Sequence, residues 1–360
     1  MWPRWFSELH NRYNRFFYAP LYFFCLIYGL IVFIRSFLYK FGLLKQKNLP
    51  GSVISVGNIT VGGTGKTPAV IMLAEWAFGN GRRVAVLTRG YGGRRREKVL
   101  FVSGPEGLLA EADEAGDEAY LLARRLHGIP VVVSSDRFDA GMAAHKKWES
   151  DFFIMDDGFQ HLALKRQADL VLLDAGNPFG NGRLLPMGPL REPFAALKRA
   201  DAIILTRSGG EKDKKLEQLL RGKMPSMNVF KAIHRPRRVV FPVSGQINPI
   251  GFLRGKRVLG FAGIGKPYAF REMLVDLGVD LVWFKGFGDH HKFKESELHQ
   301  ILMSAREKSV ELVLTTEKDW SRLARLDTGR PEIGYVEIEF NILGDRQCFE
   351  KFIDGLITGN

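Results

Sequence analysis

Eight consecutive residues, Thr60-Val61-Gly62-Gly63-Thr64-Gly65-Lys66-Thr67, carry the chemistry of a phosphate cradle. Glycines let successive backbone N–H groups point into one concavity, and a helix start adds its partial positive charge. Lys66 is placed to reach β- and γ-phosphates as a point charge, with the Thr67 hydroxyl on Mg²⁺. Pro68 suits the first helical turn, where a missing N–H costs nothing. One position departs from the usual motif: Thr60 stands where its first glycine is expected.

Acids that could serve such a cradle recur downstream. Phe152-Phe-Ile-Met155 runs into Asp156-Asp157-Gly158, the form of a buried strand delivering a carboxylate to Mg²⁺ at its end, although Asp-Asp-Gly also suits a plain turn. The segment 111–126 reads as one helix, acidic at its start and basic at its end. Macrodipole complementarity explains that pattern, and the sharper reading makes Asp117 a general base. Arg89 to Arg96 mix glycines with clustered guanidiniums, suited either to phosphate recognition or to solvation. Asp289-His290-His291 opens a helix with no third metal-ligand cluster beside it in sequence, and Gly263-Ile-Gly265-Lys266 lacks the Ser/Thr of a second phosphate loop.

These groups need strands and helices to hold them. Apolar runs at 53–56, 84–87, 100–102, 129–133, 152–155, 169–173, 202–205, 257–262, 282–284 and 312–315 read as strands, most separated by helix-length segments. Repeated β-α units predict mostly parallel sheets covered on both faces by helices. The expected architecture is two α/β/α domains, 50–235 with the cradle and 236–360 completing a cleft, with 224–242 as the connection. Segment 177–193, rich in Gly and Pro, reads as a functional loop.

The chain has 360 residues, two cysteines and a net charge of +13, which fits a reducing compartment and an anionic partner. Within residues 1–49, Arg4, Arg12, Arg15, Arg35, Lys40, Lys45 and Lys47 stand against Glu8 alone. The uncharged run 16–34 covers ~28 Å as a helix, just short of a ~30 Å hydrocarbon core. With no small-residue cleavage site, a secretory signal is disfavoured. Basic flanks and interfacial aromatics predict a membrane-associated helix, whether lying on the bilayer or spanning it, in preference to a nucleic-acid surface.

In combination the stretches Gly57–Pro68, Thr88–Gly92, Gly116-Asp117-Glu118, Asp156–His161, Leu190–Pro193, Phe261–Ile264, Asp289-His290 and Thr315–Asp319 resemble the tetraacyldisaccharide 4'-kinase family, in order over nearly the whole chain. Thr60 in place of glycine fits that resemblance. It implies transfer of the ATP γ-phosphoryl group to the 4'-hydroxyl of an acylated glucosamine disaccharide 1-phosphate, with Mg²⁺, at the cytoplasmic face of the inner membrane and without an obligate protein partner. It further implies Asp117 as base, His290 as its partner or a contributor near the metal, Asp157 and Glu192 as metal-organising carboxylates, and Asp156 in support of either role. The rival is a membrane-associated regulatory P-loop ATPase, whose signature lysine would stand at Val61.

Overall fold

Strand β1 (Ser52–Gly57), which feeds the glycine loop, lies inside one continuous mixed sheet and pairs in parallel with β6 (Phe152–Asp156) and β7 (Ala168–Asp174). The computed structural model describes residues 15–323 and 333–359. Beyond β6 the sheet continues through β2 (Val84–Thr88), β5 (Val131–Ser134), β3 (Val99–Gly104) and β4 (Gly107–Leu108). Beyond β7 come β8 (Ala202–Thr206) and β9 (Asn228–Phe241), then β14 (Ile333–Leu343), β13 (Leu312–Thr316), β11 (Arg257–Ala262) and β12 (Asp280–Gly286); β10 (Gln246–Pro249) pairs on β9.

Side-chain alternation decides which helix covers which face. In β7, Leu170 and Leu172 pack toward α2 (Lys66–Gly79), α4 (Asp117–Arg125) and α10 (Arg346–Thr358), while Val171 and Leu173 face α6 (Glu211–Lys223). Val53, Ala85 and Leu87 likewise meet Ala140 and Ala144 of α5 (Arg137–Trp148). The second half repeats the scheme with α7 (Pro267–Asp276) on one face, and α8 (Glu295–Glu307) and α9 (Glu317–Leu323) on the other.

Three expectations meet a different arrangement. The segment 224–242 is not a plain connection: β9 pairs in parallel with β8 through 228–231 and antiparallel with β14 through 231–240, so position 235 falls inside a strand shared by both halves. At its end Val239 and Val240 point to opposite faces, one into each core layer of the second half. The helix expected over 111–126 breaks at Gly116 (φ 86°, ψ 152°) into α3 (Ala112–Ala115) and α4. A Cβ there would stand 2.5 Å from the Tyr91 carbonyl oxygen, so the close approach demands glycine. Finally, β6 and β7 are joined without a helix, and β7 and β8 through a loop ending in one 3₁₀ turn, Phe194–Arg199.

Helix α1 (Arg15–Lys40) carries a candidate membrane span over Pro20–Lys40 with mean hydropathy 2.1. One stripe of it touches protein. Tyr22 accepts from Arg183, Cys25 Sγ contacts the Leu184 carbonyl at 3.5 Å, and Tyr28 donates to the Arg191 carbonyl at 2.9 Å. Phe23, Leu26, Leu30 and Phe33 are between 57 and 71% exposed, an uncovered apolar face.

Candidate active site

The carboxyl ends of the parallel strands converge on one edge, where ligands of open α/β sheets bind. From β1 the chain enters the glycine loop and then α2, capped by Gly65 in the left-handed region (φ 84°). Half-buried His234 of β9 lies so close to Gly65 that an added Cβ would meet its Nε2 at 2.1 Å. Burial and the Arg207 charge pull this imidazole down to about 4, so it packs there as a neutral ring. Asn58 braces the loop from inside: it donates to the Thr64 hydroxyl at 3.2 Å and accepts from Lys66 Nζ at 3.3 Å. Gly62 and Gly63 are exposed at the mouth, ready to approach a ligand.

Lys66 also lies 3.3 Å from Asp157 Oδ1. Asp157, in the left-handed region (φ 50°), accepts from Arg191 at 2.8 Å through its other oxygen. Burial pushes its carboxyl up, but Lys66 and Arg191 outweigh that and hold it below the usual range, ionised. Its neighbour behaves oppositely. Asp156 is fully enclosed, accepts from the Thr88 hydroxyl at 3.0 Å, and is pushed to about 6 by burial and by Glu118 and Asp157. The environments of two adjacent acids thus push their pKa values in opposite directions, a division typical of functional carboxylates. Glu192 is buried with both oxygens held by Arg199, at 2.7 and 3.2 Å. That fork anchors the loop from which Arg191 reaches Asp157.

The second group of residues forms a seam between α4 and α9. Asp117, at the start of α4, accepts from Arg322 Nε at 2.7 Å. Glu118 accepts from Lys318 at 2.8 Å, and Arg125 donates to Glu317 at 2.9 Å. His290 (φ 56°) points its Nδ1 at Arg322 Nη2, 3.3 Å away, and presents its ring edge to Tyr91. Burial pushes the Glu118 carboxyl up, yet Lys318, Lys66 and His290 together hold it below the usual range, so this side chain feels both the loop and the seam.

The structure therefore gathers Lys66, Asp156 and Asp157 at the loop and Asp117 and His290 at the seam, with Glu118 between them. It also separates the two histidines that sequence leaves equivalent: His291 bonds Glu297 at 2.9 Å and stacks on Phe287, away from Arg322. Glu118 and Arg191 fall within stretches quoted for the resemblance, but nothing in their spacing gives them a role. Asn58 also lies within a quoted stretch without a role of its own, whereas His234 and Arg322 carry no sequence signal, because their partners stand elsewhere in the chain.

A Mg²⁺ ion bound with a nucleotide takes one or two protein oxygens and completes its shell with phosphate and water. Asp157 fits that demand: it is ionised, and its buried Oδ1 is engaged only by the 3.3 Å ion pair with Lys66. Thr67 opens the adjoining helix turn. No cluster of three His, Cys, Asp or Glu suited to a metal occurs among the described residues.

The model of the family described as tetraacyldisaccharide-1-P 4'-kinase matches residues 17–358. The tetraacyldisaccharide 4'-kinase of Syntrophus aciditrophicus is 41% identical over 339 residues, which cover 92% of this chain and 90% of the relative. That of Geobacter metallireducens is 39% identical over 330 residues, 92% and 95% of the two chains. The crystal structure of LpxK from Aquifex aeolicus in complex with ATP superposes with a TM-score of 0.74 at 33% identity, covering 94% of this chain and 99% of its own. The chain with a glycine loop at Thr60–Thr67 and paired acids at 156–157 belongs to the tetraacyldisaccharide 4'-kinase family.

Proposed function

We propose that this chain transfers the γ-phosphoryl group of ATP to the 4'-hydroxyl of an acylated glucosamine disaccharide 1-phosphate, the acceptor named by its family. The observation that carries the reading is the position of Glu118: next to Asp117 in α4, it lies within electrostatic reach of Lys66 and of His290. That proximity supports a phosphate anchor and a candidate base serving one site.

Phosphoryl transfer asks for alignment and charge neutralisation more than for covalent chemistry. The glycine-loop amides and Lys66 cradle the triphosphate, and Asn58 holds Lys66 on its course. A sugar hydroxyl is a weak nucleophile, and Asp117 accepts its proton as the oxygen attacks the γ-phosphorus and the bond to the bridging oxygen breaks, releasing ADP. His290 supports that transfer from the other half of the molecule. Thr67 and Asp157 would hold Mg²⁺, which would supply neutralising charge at the phosphate oxygens. Glu192 organises this set from behind, fixing through Arg199 the loop that carries Arg191 to Asp157. Asp156 steadies Thr88 and shares its field with Asp157.

The acceptor is lipid-borne, and each buried CH₂ holds it in the bilayer by ~0.8 kcal/mol. The uncovered face of α1, with the basic residues around it, supports attachment at the cytoplasmic face of the inner membrane. The decisive assay follows labelled γ-phosphate from ATP into purified disaccharide lipid. Label released only as free phosphate, with none in lipid, would overturn the kinase reading. Removal of residues 1–40 should release the protein from anionic vesicles, and undiminished sedimentation would refute attachment through this helix.

A further inference from the structure

Arg322 belongs to none of the stretches that suggested the function, yet it touches several of them. Its side chain is 4% exposed. Nε donates to Asp117 Oδ2 at 2.7 Å, and Nη2 meets His290 Nδ1 at 3.3 Å. These two nitrogens form one edge of the planar guanidinium, the edge that elsewhere grips both oxygens of a single carboxylate. Here the edge is divided between the candidate base and its histidine. Nη1 turns the other way, donating to the Gly263 carbonyl at 2.9 Å and to Asp319 Oδ1 at 3.0 Å.

The surroundings are built to hold this arginine still. Asp319 is fully buried; its Oδ2 accepts from the Gly263 amide at 2.9 Å and from the Thr316 hydroxyl at 2.6 Å, and its own amide donates back to Thr316 at 3.1 Å. Gly263 thus both donates to Asp319 and accepts from Arg322, closing a ring, and an added Cβ would stand 3.1 Å from Asp319 Oδ1. Thr316, Asp319 and Gly263 gain a common purpose that phosphate binding does not give them. A buried guanidinium is tolerated because two carboxylates, Asp117 and Asp319, compensate it.

We propose that Arg322 is the positioning residue of the proton-transfer pair, holding Asp117 and His290 in one plane and fixing the His290 tautomer with its proton on Nε2. A guanidinium has only donors, so Nδ1 must present its lone pair. The ring is then neutral, and its Nε2–H is directed away from Arg322, on the side of Asp289, whose Oδ1 is 4.0 Å off. The fields around the ring agree in sign: burial, Lys318 and Arg322 pull its pKa down against Asp289 and Glu118, and Tyr91 packs at its edge. Asp117 and Arg322 stand on opposite halves of the molecule, so the pair is complete only when α4 and α9 meet. This inference rests on the Asp117–His290 reading above and deepens it.

The test uses the full-length protein. Nitrogen-15 histidine spectra, with His290→Gln to assign the signal, should show Nδ1 unprotonated at pH 7.5; a protonated Nδ1 would overturn the proposal without any change at Arg322. Arg322→Gln should lower kcat by about 10²-fold, the scale of a displaced base, with KM for ATP changing by less than about threefold. The acid limb of its kcat profile should move to higher pH, since removing the guanidinium lets His290 protonate more readily. Arg322→Lys keeps the charge without the planar edge and should restore little. Combining Arg322→Gln with His290→Gln should cost less than the two losses multiplied. Full multiplicativity, or an unchanged pH limb, would reduce Arg322 to a structural residue. Asp117→Ala or His290→Ala with kcat intact would instead remove the base reading itself.

Discussion

The glycine loop and the α4–α9 seam are the two ends of one proposed reaction, and they are built differently. At the loop, Lys66, Asp156 and Asp157 hang from the ends of neighbouring parallel strands, so backbone pairing sets their separation. At the seam the contacts are side-chain ion pairs between the two halves: Asp117–Arg322, Glu118–Lys318 and Arg125–Glu317, 205, 200 and 192 residues apart in sequence. Strand register fixes the phosphate end whatever the second half does. The base end exists only through the docking of the halves.

The sharpest way to break this contrast is to remove one charge from each end. Lys66→Met should lower kcat/KM by about 10³-fold or more, because the triphosphate loses its preorganised cation, and ATP affinity should fall with it. Asp117→Asn should lower kcat by roughly 10²–10⁴-fold and leave ATP affinity near its original value, measured by equilibrium titration. Equal losses of binding in both variants would erase the distinction between a phosphate end and a base end.

What was readable from sequence follows the same division. The loop, its strand and helix, and the acids at 156–157 are contiguous signals, each resting on a local pattern of apolar residues, glycine or charge. Glu192 is named through the resemblance alone, and its fork with Arg199 depends on a fold-back that no spacing announces. At the seam, Asp117 and His290 are named at the sequence level but Arg322 is not, because it acquires meaning only from those two, across most of the chain or from another loop. Strand β9 escaped because Arg235, Arg237, Arg238 and Pro236 disguise it, although their side chains have somewhere to go: Arg238 pairs with Glu337 of β14 at 2.9 Å. The break at Gly116 escaped because its cause is the Tyr91 carbonyl, on another loop.

The seam should also carry a pH signature that the loop lacks. Burial and Glu337 push the Glu317 carboxyl up to about 7, outweighing Arg125. The folded state therefore keeps this proton over a window, from the ordinary carboxylate range to about 7, in which the unfolded chain has released it. Stability from this group is complete at the acid end and is lost as pH rises through the window, by up to about 3 kcal/mol. Urea unfolding at pH 5 and pH 8 should show a smaller decline for Glu317→Gln than for the wild type. Identical declines would place the pH dependence elsewhere. Gly116→Ala should cost about 1–3 kcal/mol, the strain of a side chain at φ 86°, and should lower kcat as well, because α4 begins at the next residue; loss of stability with kcat untouched would detach Asp117 from this turn.

The smallest effect is expected at an ion pair between the halves that lies beside the loop. Lys266 donates to Asp174 at 2.8 Å, and Asp174 is also paired with Arg207, which in turn donates to the Gly63 carbonyl at 3.2 Å. The Lys266 side chain is 55% exposed, so solvent screens the pair, and such contacts contribute no more than about 1 kcal/mol. Asp174 keeps its arginine when the lysine is gone, so no buried charge is left alone. Lys266→Met should therefore shift the urea midpoint barely beyond error and leave kcat within about twofold of wild type. A loss as large as that of Arg322→Gln would mean that the halves are aligned from the loop side, and the seam would then follow the docking instead of determining it.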